Sequence, residues 1–162
     1  MKIYSLSRKQ VLPISLEQAW KFFSAPENLL KITPNNMGFH ILYSSGGDTL
    51  YAGKIIIYRI RVLPFYTTTW VTEISHVQEP HYFVDDQRSG PYALWHHQHH
   101  FKKVDAGVEM TDEINYAIPF GFIGRLANWL FVGRQVNAIF NYRFRILETH
   151  FQGESTMQKE FH

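Results

Sequence analysis

Apolar residues recur at helical spacing at two places in this chain. Between them lie runs rich in Thr, Val, Ile and aromatic residues, which favour strands. Lys2 to Leu12 is the first expected strand, and it stops at Pro13 because proline cannot donate to a ladder. Leu16, Ala19, Trp20 and Phe23 follow at helical spacing, with Ser15 as N-cap and Gln18 three residues on, as in a capping box. Pro26 suits the first turn of a second short helix through Leu30, which Thr33-Pro34-Asn35-Asn36 ends. Strands are then expected at Gly38 to Tyr43, Leu50 to Leu63, Tyr66 to Val77 and His81 to Arg88. Tyr92 to Lys103 and Val108 to Ile118 form a hairpin closed at Asp105-Ala106-Gly107.

The last element runs from about Phe122 to Phe151 without an internal proline. Leu126, Leu130, Gly133, Asn137, Phe140, Phe144, Leu147 and Phe151 are three or four residues apart, which predicts one narrow helical face. The order is therefore strand, two short helices, about six further strands and one long helix. A sheet that covers so long a helix has to curve. The expected class is α+β: a curved antiparallel sheet of about seven strands wrapped around the C-terminal helix, with a cavity where side chains do not quite meet. A length of 162 residues suits one domain, 1–162.

Composition narrows the function classes. At 45% hydrophobic and 19% charged, the chain has too much apolar surface to be disordered. The net charge of +2 comes without a basic stripe, so nucleic acid is not an expected partner. Cysteine is absent, which excludes disulfides, thiolate metal sites and Cys nucleophiles. No apolar run reaches the ~20 residues of a membrane span, so no integral membrane association is expected. The opening MKIYSLSRKQ lacks the apolar core of a signal peptide, and a cytoplasmic location is expected. Gly46-Gly47 lacks the Lys and the helix start of a phosphate loop.

The most unusual stretch is Trp95-His96-His97-Gln98-His99-His100-Phe101. On a strand, Trp95, His97, His99 and Phe101 share one face, and the aromatic ends point that face inward. His96 and His100 then sit outside as ordinary solvent-exposed histidines. A two-residue loop at Asp105-Ala106 pairs Val104 with Gly107. Counting back, Phe101 meets Met110, His99 meets Asp112, His97 meets Ile114 and Trp95 meets Tyr116. A one-residue slip would undo all four pairings. Three readings of His99 and Asp112 stay open: a buried, mutually satisfied pair, a polar contact for a ligand in an apolar pocket, and a general base with its orienting carboxylate. His97, His99 and Asp112 also have the residue types of a two-His, one-carboxylate metal site, but no diagnostic spacing, and neither a metal nor a cofactor is expected.

Gly90-Pro91-Tyr92, Trp95, His97, His99, Phe101, Asp112-Glu113, Tyr116, Pro119-Phe120-Gly121, Arg134-Gln135 and Ile139-Phe140-Asn141-Tyr142-Arg143 together resemble a bacterial ligand-binding subgroup of the START-like (SRPBCC) superfamily. That superfamily has a helix-grip fold and includes birch-pollen-allergen-like proteins and polyketide cyclases. Some relatives carry a second domain and the description of a cell-division inhibitor. The resemblance implies binding of a hydrophobic small molecule or lipid between sheet and helix. Expected lining residues are Trp95, His97, His99, Phe101, Asp112, Tyr116, Leu130, Arg134, Asn137, Phe140, Asn141 and Phe144. A cyclase- or hydrolase-like enzyme using His99 and Asp112 is the alternative. A regulatory module is the third, with Trp129, Val132, Val136 and Ile139 facing solvent, a homodimer partner or a membrane surface. Pro119 to Gly124, Met37 to Phe39 and Val62 to Tyr66 are read as a mobile rim. Gly133 leaves room either for cavity volume or for close packing.

Overall fold

In the computed structural model, which describes residues 1–63 and 66–160, β1 (Tyr4–Leu12) alternates as a half-buried strand should. Tyr4, Leu6, Arg8, Gln10 and Leu12 turn inward and the residues between them face solvent. α1 (Leu16–Phe23) begins at the capping box: the Gln18 N–H donates to Ser15 Oγ at 3.1 Å and the Ser15 N–H to Gln18 Oε1 at 2.8 Å. α2 (Pro26–Lys31) starts at its proline. Next come β2 (His40–Ser44), β3 (Lys54–Leu63), β4 (Tyr66–Gln78), β5 (Tyr82–Ser89), β6 (Leu94–Val104) and β7 (Gly107–Ala117). Each pairs antiparallel with its successor and β7 returns to β1, which gives one seven-stranded sheet in the order β1-β7-β6-β5-β4-β3-β2.

Two buried details hold the sheet in register. Lys54 is wholly buried, and its Nζ donates to the carbonyls of Ser45, Gly47 and Thr49, which closes the loop between β2 and β3. Gly107 has φ +129°, and a Cβ there would lie 2.1 Å from the Leu12 carbonyl oxygen. Only glycine fits that corner, so the β6–β7 turn is anchored to the end of β1.

The core lies between the sheet and the helices. Trp20 of α1 meets Phe83 and Phe101 edge-on, at 5.9 and 6.1 Å between ring centres. Leu147 and Phe151 close the same cluster from the C-terminal helix.

That helix differs from the single element expected at Phe122 to Phe151. α3 (Gly121–Ala127) leads into a π-helical turn, Asn128–Val132, and then into α4 (Gly133–Glu160). The Gly133 N–H donates to the Asn128 carbonyl five residues back, and Tyr116 Oη donates to Asn128 Oδ1 at 3.1 Å. Gly133 serves close packing: a Cβ there would meet the Asn128 carbonyl oxygen at 3.1 Å.

The wide turn inserts a residue into the helical repeat, and each residue is worth roughly 100° of rotation. The inward face of α4 is therefore Val136, Phe140, Arg143, Leu147 and Phe151. This corrects the expected stripe. Leu126 and Leu130 point to solvent, and Arg134, Asn137, Asn141 and Phe144 are exposed as well. Asn137 Oδ1 accepts from Arg8 Nη2 at 2.7 Å, and the Phe144 carbonyl accepts from Gln10 Nε2 at 3.0 Å, so both face the edge strand β1. Val136, expected on the outer side, is 1% exposed, and Ile139 turns toward the interior. Of the expected rim, residues 64 and 65 lie outside the described residues.

Candidate functional site

A cavity of about 170 Å³ lies between the concave face of the sheet, the α1–α2 segment and α4. Most of its wall is apolar: Phe23, Leu29, Ile56, Ile60, Trp70, Ile139 and Phe140 are representative. Its acidic and basic side chains are Asp85, His97, His99 and Arg143.

The strand register creates this polar corner. β6 and β7 pair as counted from the Asp105-Ala106 loop, with His99 opposite Asp112, His97 opposite Ile114 and Trp95 opposite Tyr116. On the other side of β6, His97 stands opposite Asp85 of β5. Both imidazoles are thus flanked by a carboxylate on each side. His97 Nε2 donates to Asp112 Oδ1 at 3.0 Å, and His99 Nε2 donates to Asp85 Oδ2 at 2.9 Å. His97 Nδ1 lies 3.3 Å from Asp85 Oδ2. His99 Nδ1 is 2.9 Å from Asp112 Oδ1 without forming a hydrogen bond to it. The rings crowd each other: His97 and His99 are 3.8 Å apart at their centres, and His99 stacks on Phe83 at 4.2 Å. Arg143 approaches from α4, with Nη1 3.7 Å from Asp112 Oδ1 and the guanidinium 4.9 Å over the Phe140 ring.

The charges compensate. Burial pushes Asp85 upward, but the charge and hydrogen bonds of His97 and then His99 outweigh it and hold the carboxyl well below its usual range. Burial works the same way on Asp112, and His97, His99 and Arg143 together reverse it. Burial would lower His97, yet Asp85 and Asp112 raise it above the ordinary imidazole value. With His97 and Arg143 positive and both aspartates negative, these four groups sum to zero in a dry environment where a surplus charge would be costly. Tyr58 and Tyr92, also in the cavity wall, are pushed upward chiefly by burial and stay neutral phenols.

These directions fix a pH window. A depressed carboxylate contributes stability that is whole above its unfolded pKa of ~3.9 and is lost as pH falls through the folded value. A raised imidazole contributes stability that is whole below its unfolded pKa of ~6.5 and is lost as pH rises through the folded value. The cluster therefore stabilises the fold most between about pH 4 and 6.5. Urea midpoints measured across pH are expected to decline on both sides of that window. In His97→Asn the alkaline decline attributable to the cluster should disappear. An alkaline limb of unchanged depth in that variant would refute the assignment.

Of the expected site residues, the cavity wall contains Trp95, His97, His99 and Phe140. Asp112 sits behind the histidines, Phe101 is in the core, and Tyr116 supports the π turn. Leu130, Arg134, Asn137, Asn141 and Phe144 lie away from the cavity. Two members of the corner, Asp85 and Arg143, are not among the expected lining residues. Asp85 could have been found by alternation, since it shares a strand face with the inward Phe83. Arg143 is hidden by the π turn. His96 and His100 are half-buried rather than freely exposed: His96 Nδ1 donates to Asp86 Oδ1 at 2.7 Å, and His100 stacks on Tyr82.

Asp85, His97 and His99 present donor atoms that lie within 4.8 Å of one another, the residue types of a two-His, one-carboxylate metal set. This set differs from the one read in the sequence, since Asp85 takes the place of Asp112. Those donors are engaged with each other, and a divalent ion would have to displace them next to a guanidinium. We therefore describe the corner as a self-neutralised ion network.

Solved structures share this architecture. A Thermus thermophilus protein matches with a TM-score of 0.66 at 13% identity, over 94% of this chain and 99% of that one. A major latex-like protein of Panax ginseng matches at 0.61 and 13% identity, over 92% of this chain and 97% of that one. The di-domain ARO/CYC BexL from the BE-7585A biosynthetic pathway matches at 0.68 and 11% identity, over 92% of this chain and 50% of that one. At these identities the likeness is one of fold: a helix-grip-like α+β architecture in which a curved antiparallel sheet packs on a long C-terminal helix. No family model matches the chain, and no curated protein matches its sequence.

Proposed function

We propose that this chain binds a small, mostly apolar molecule in the cavity, with an oxygen of the ligand accepting a hydrogen bond from Arg143. The observation that carries this reading is Arg143 Nε, a buried donor in the cavity wall without a hydrogen-bond partner among the described residues. Buried donors are paired in nearly all folded proteins, so an unpaired one beside a cavity suits a ligand acceptor. Because the four charged groups of the corner already cancel, a neutral hydroxyl or carbonyl oxygen suits it better than a carboxylate.

Size limits the ligand. A cavity of about 170 Å³ is close to the ~150 Å³ that admits benzene in an engineered core, and below the ~300–1,000 Å³ of drug-sized sites. One- or two-ring compounds fit this better than a two-chain lipid. Apolar burial supplies the affinity, at roughly 25 cal/mol per Å² before the costs of association.

Toluene and p-cresol differ by one hydroxyl and test the polar contact. Calorimetric titration should show p-cresol binding about tenfold more tightly, the scale of one hydrogen bond to a charged donor. Arg143→Met, checked for folding by its thermal transition, should erase that preference while toluene still binds. Equal affinities in the unsubstituted protein would refute the Arg143 contact.

A further inference from the structure

α3 and the π turn are amphipathic in the reverse of the usual sense. Phe122, Ile123, Leu126, Trp129 and Leu130 follow the i, i+1, i+4, i+7, i+8 spacing of a helical face, and that face points outward. Phe122 is 70% exposed, Ile123 71% and Trp129 72%, while Phe120 and Phe131 extend the patch at its ends. The inward side is built from Gly124 and Asn128; a Cβ on Gly124 would lie 1.9 Å from the Pro119 carbonyl oxygen. Small residues inside and large aromatic residues outside are what packing against water disfavours. Phe120 adds strain: its φ is +69°, a left-handed conformation unusual for a bulky residue, and its side chain is 80% exposed.

Charge indicates what covers this face. No Asp or Glu occurs from Ile114 to Leu147, a stretch that contains Arg125, Arg134, Arg143 and Arg145. Arg125, Arg134 and Arg145 are exposed, and Arg125 lies 5.5 Å over the Phe122 ring, within the apolar face itself. Exposed Phe and Trp with the Arg125 cation among them, on a stretch of sequence free of Asp and Glu, complement the acyl–headgroup boundary of an anionic membrane. No helix among the described residues is long and apolar enough to cross a membrane, so this segment would lie in the interface. We propose that Phe120–Phe131 docks the protein on an anionic bilayer surface. This inference is independent of what the cavity holds.

The test is flotation of the intact chain with vesicles of phosphatidylcholine, or of phosphatidylcholine mixed with phosphatidylglycerol. The mixed vesicles should carry the protein upward, and the emission attributable to Trp129 (wild type minus Trp129→Phe) should shift to the blue. Trp129→Ser should weaken partitioning on the order of tenfold, and Arg125→Gln about fivefold on the mixed vesicles only. Both residues are on the surface, and unchanged thermal transitions would show the variants folded. Failure to float with mixed vesicles would overturn the proposal, as would flotation that Trp129→Ser leaves unaltered. A dimer in sedimentation that Trp129→Ser dissolves, with no vesicle binding, would assign the face to a second copy of the chain instead.

Discussion

Asp112→Ala is expected to cost about 3–5 kcal/mol of folding stability, the range seen when one partner of a buried ion pair is removed. The Asp112 side chain is 2% exposed and is approached by His97, His99 and Arg143. Truncating it leaves an imidazolium and a guanidinium in an apolar corner with Asp85 as the one remaining carboxylate of the network, and water has little access to replace the other. Asp112→Asn should cost less, about 1–3 kcal/mol, since an acceptor oxygen remains while the charge is lost. The comparison that isolates burial is Lys9–Glu109, an ion pair between β1 and β7 at 3.1 Å with side chains 60% and 26% exposed. Glu109→Ala should cost no more than ~1 kcal/mol. Urea unfolding of the three variants measures the contrast, and equal costs at positions 112 and 109 would refute the buried-network account.

Gly107→Ala should be as damaging, at roughly 3–5 kcal/mol. Elsewhere this substitution often stabilises by ~0.4–1 kcal/mol, because alanine restricts the unfolded chain. Here the sign reverses for two reasons. The φ of +129° is strained for any L side chain, and the new Cβ would sit 2.1 Å from the Leu12 carbonyl oxygen, with Pro13 Cα at 3.0 Å. Neither neighbour is a flexible side chain that can swing aside, so the end of β1 or the turn itself must move. Movement of the turn also threatens the β6–β7 register that places His99 opposite Asp112. Gly47 has φ +71° with open space around it, so Gly47→Ala carries the backbone strain without the collision and should cost only about 1–2 kcal/mol. Similar losses at the two glycines would show that packing against β1 is not the cause.

The strands were far more legible in the sequence than the long helix. A strand has a period of two, so one well-marked turn fixes which face every residue takes. Asp105-Ala106 alone was enough to pair His99 with Asp112 and Trp95 with Tyr116. Ser15 and Gln18 announced α1 because a capping box is a local arrangement. Alternation from Phe83 gives the face of Asp85 but not its partner, because the β5–β6 connection runs through Gly90-Pro91-Tyr92-Ala93, where no tight turn supplies a register. The helix failed for a different reason. Apolar residues occur around much of its circumference, so periodicity alone does not choose the buried side. The stripe begun at Leu126 and Leu130 started on the outward patch, and the π turn at Asn128–Val132 then broke its phase. Continued past that turn, the stripe puts Asn137 and Phe144 inside, where the helix instead buries Val136 and Arg143. A buried Arg on an otherwise apolar face has no signature until its partner, Asp112, is placed in space.

If the cavity between sheet and helix receives a small apolar ligand, blocking the cavity should abolish binding. Thr72 of β4 lines the cavity wall and is itself buried. Thr72→Phe projects a ring into the space at a stability cost of about 1–3 kcal/mol. Calorimetric titration of p-cresol into the unsubstituted protein and into Thr72→Phe is the measurement. The account predicts saturable one-to-one binding to the former and its loss in the latter, with both proteins folded; binding that persists unchanged in Thr72→Phe, or is absent from both, would contradict it.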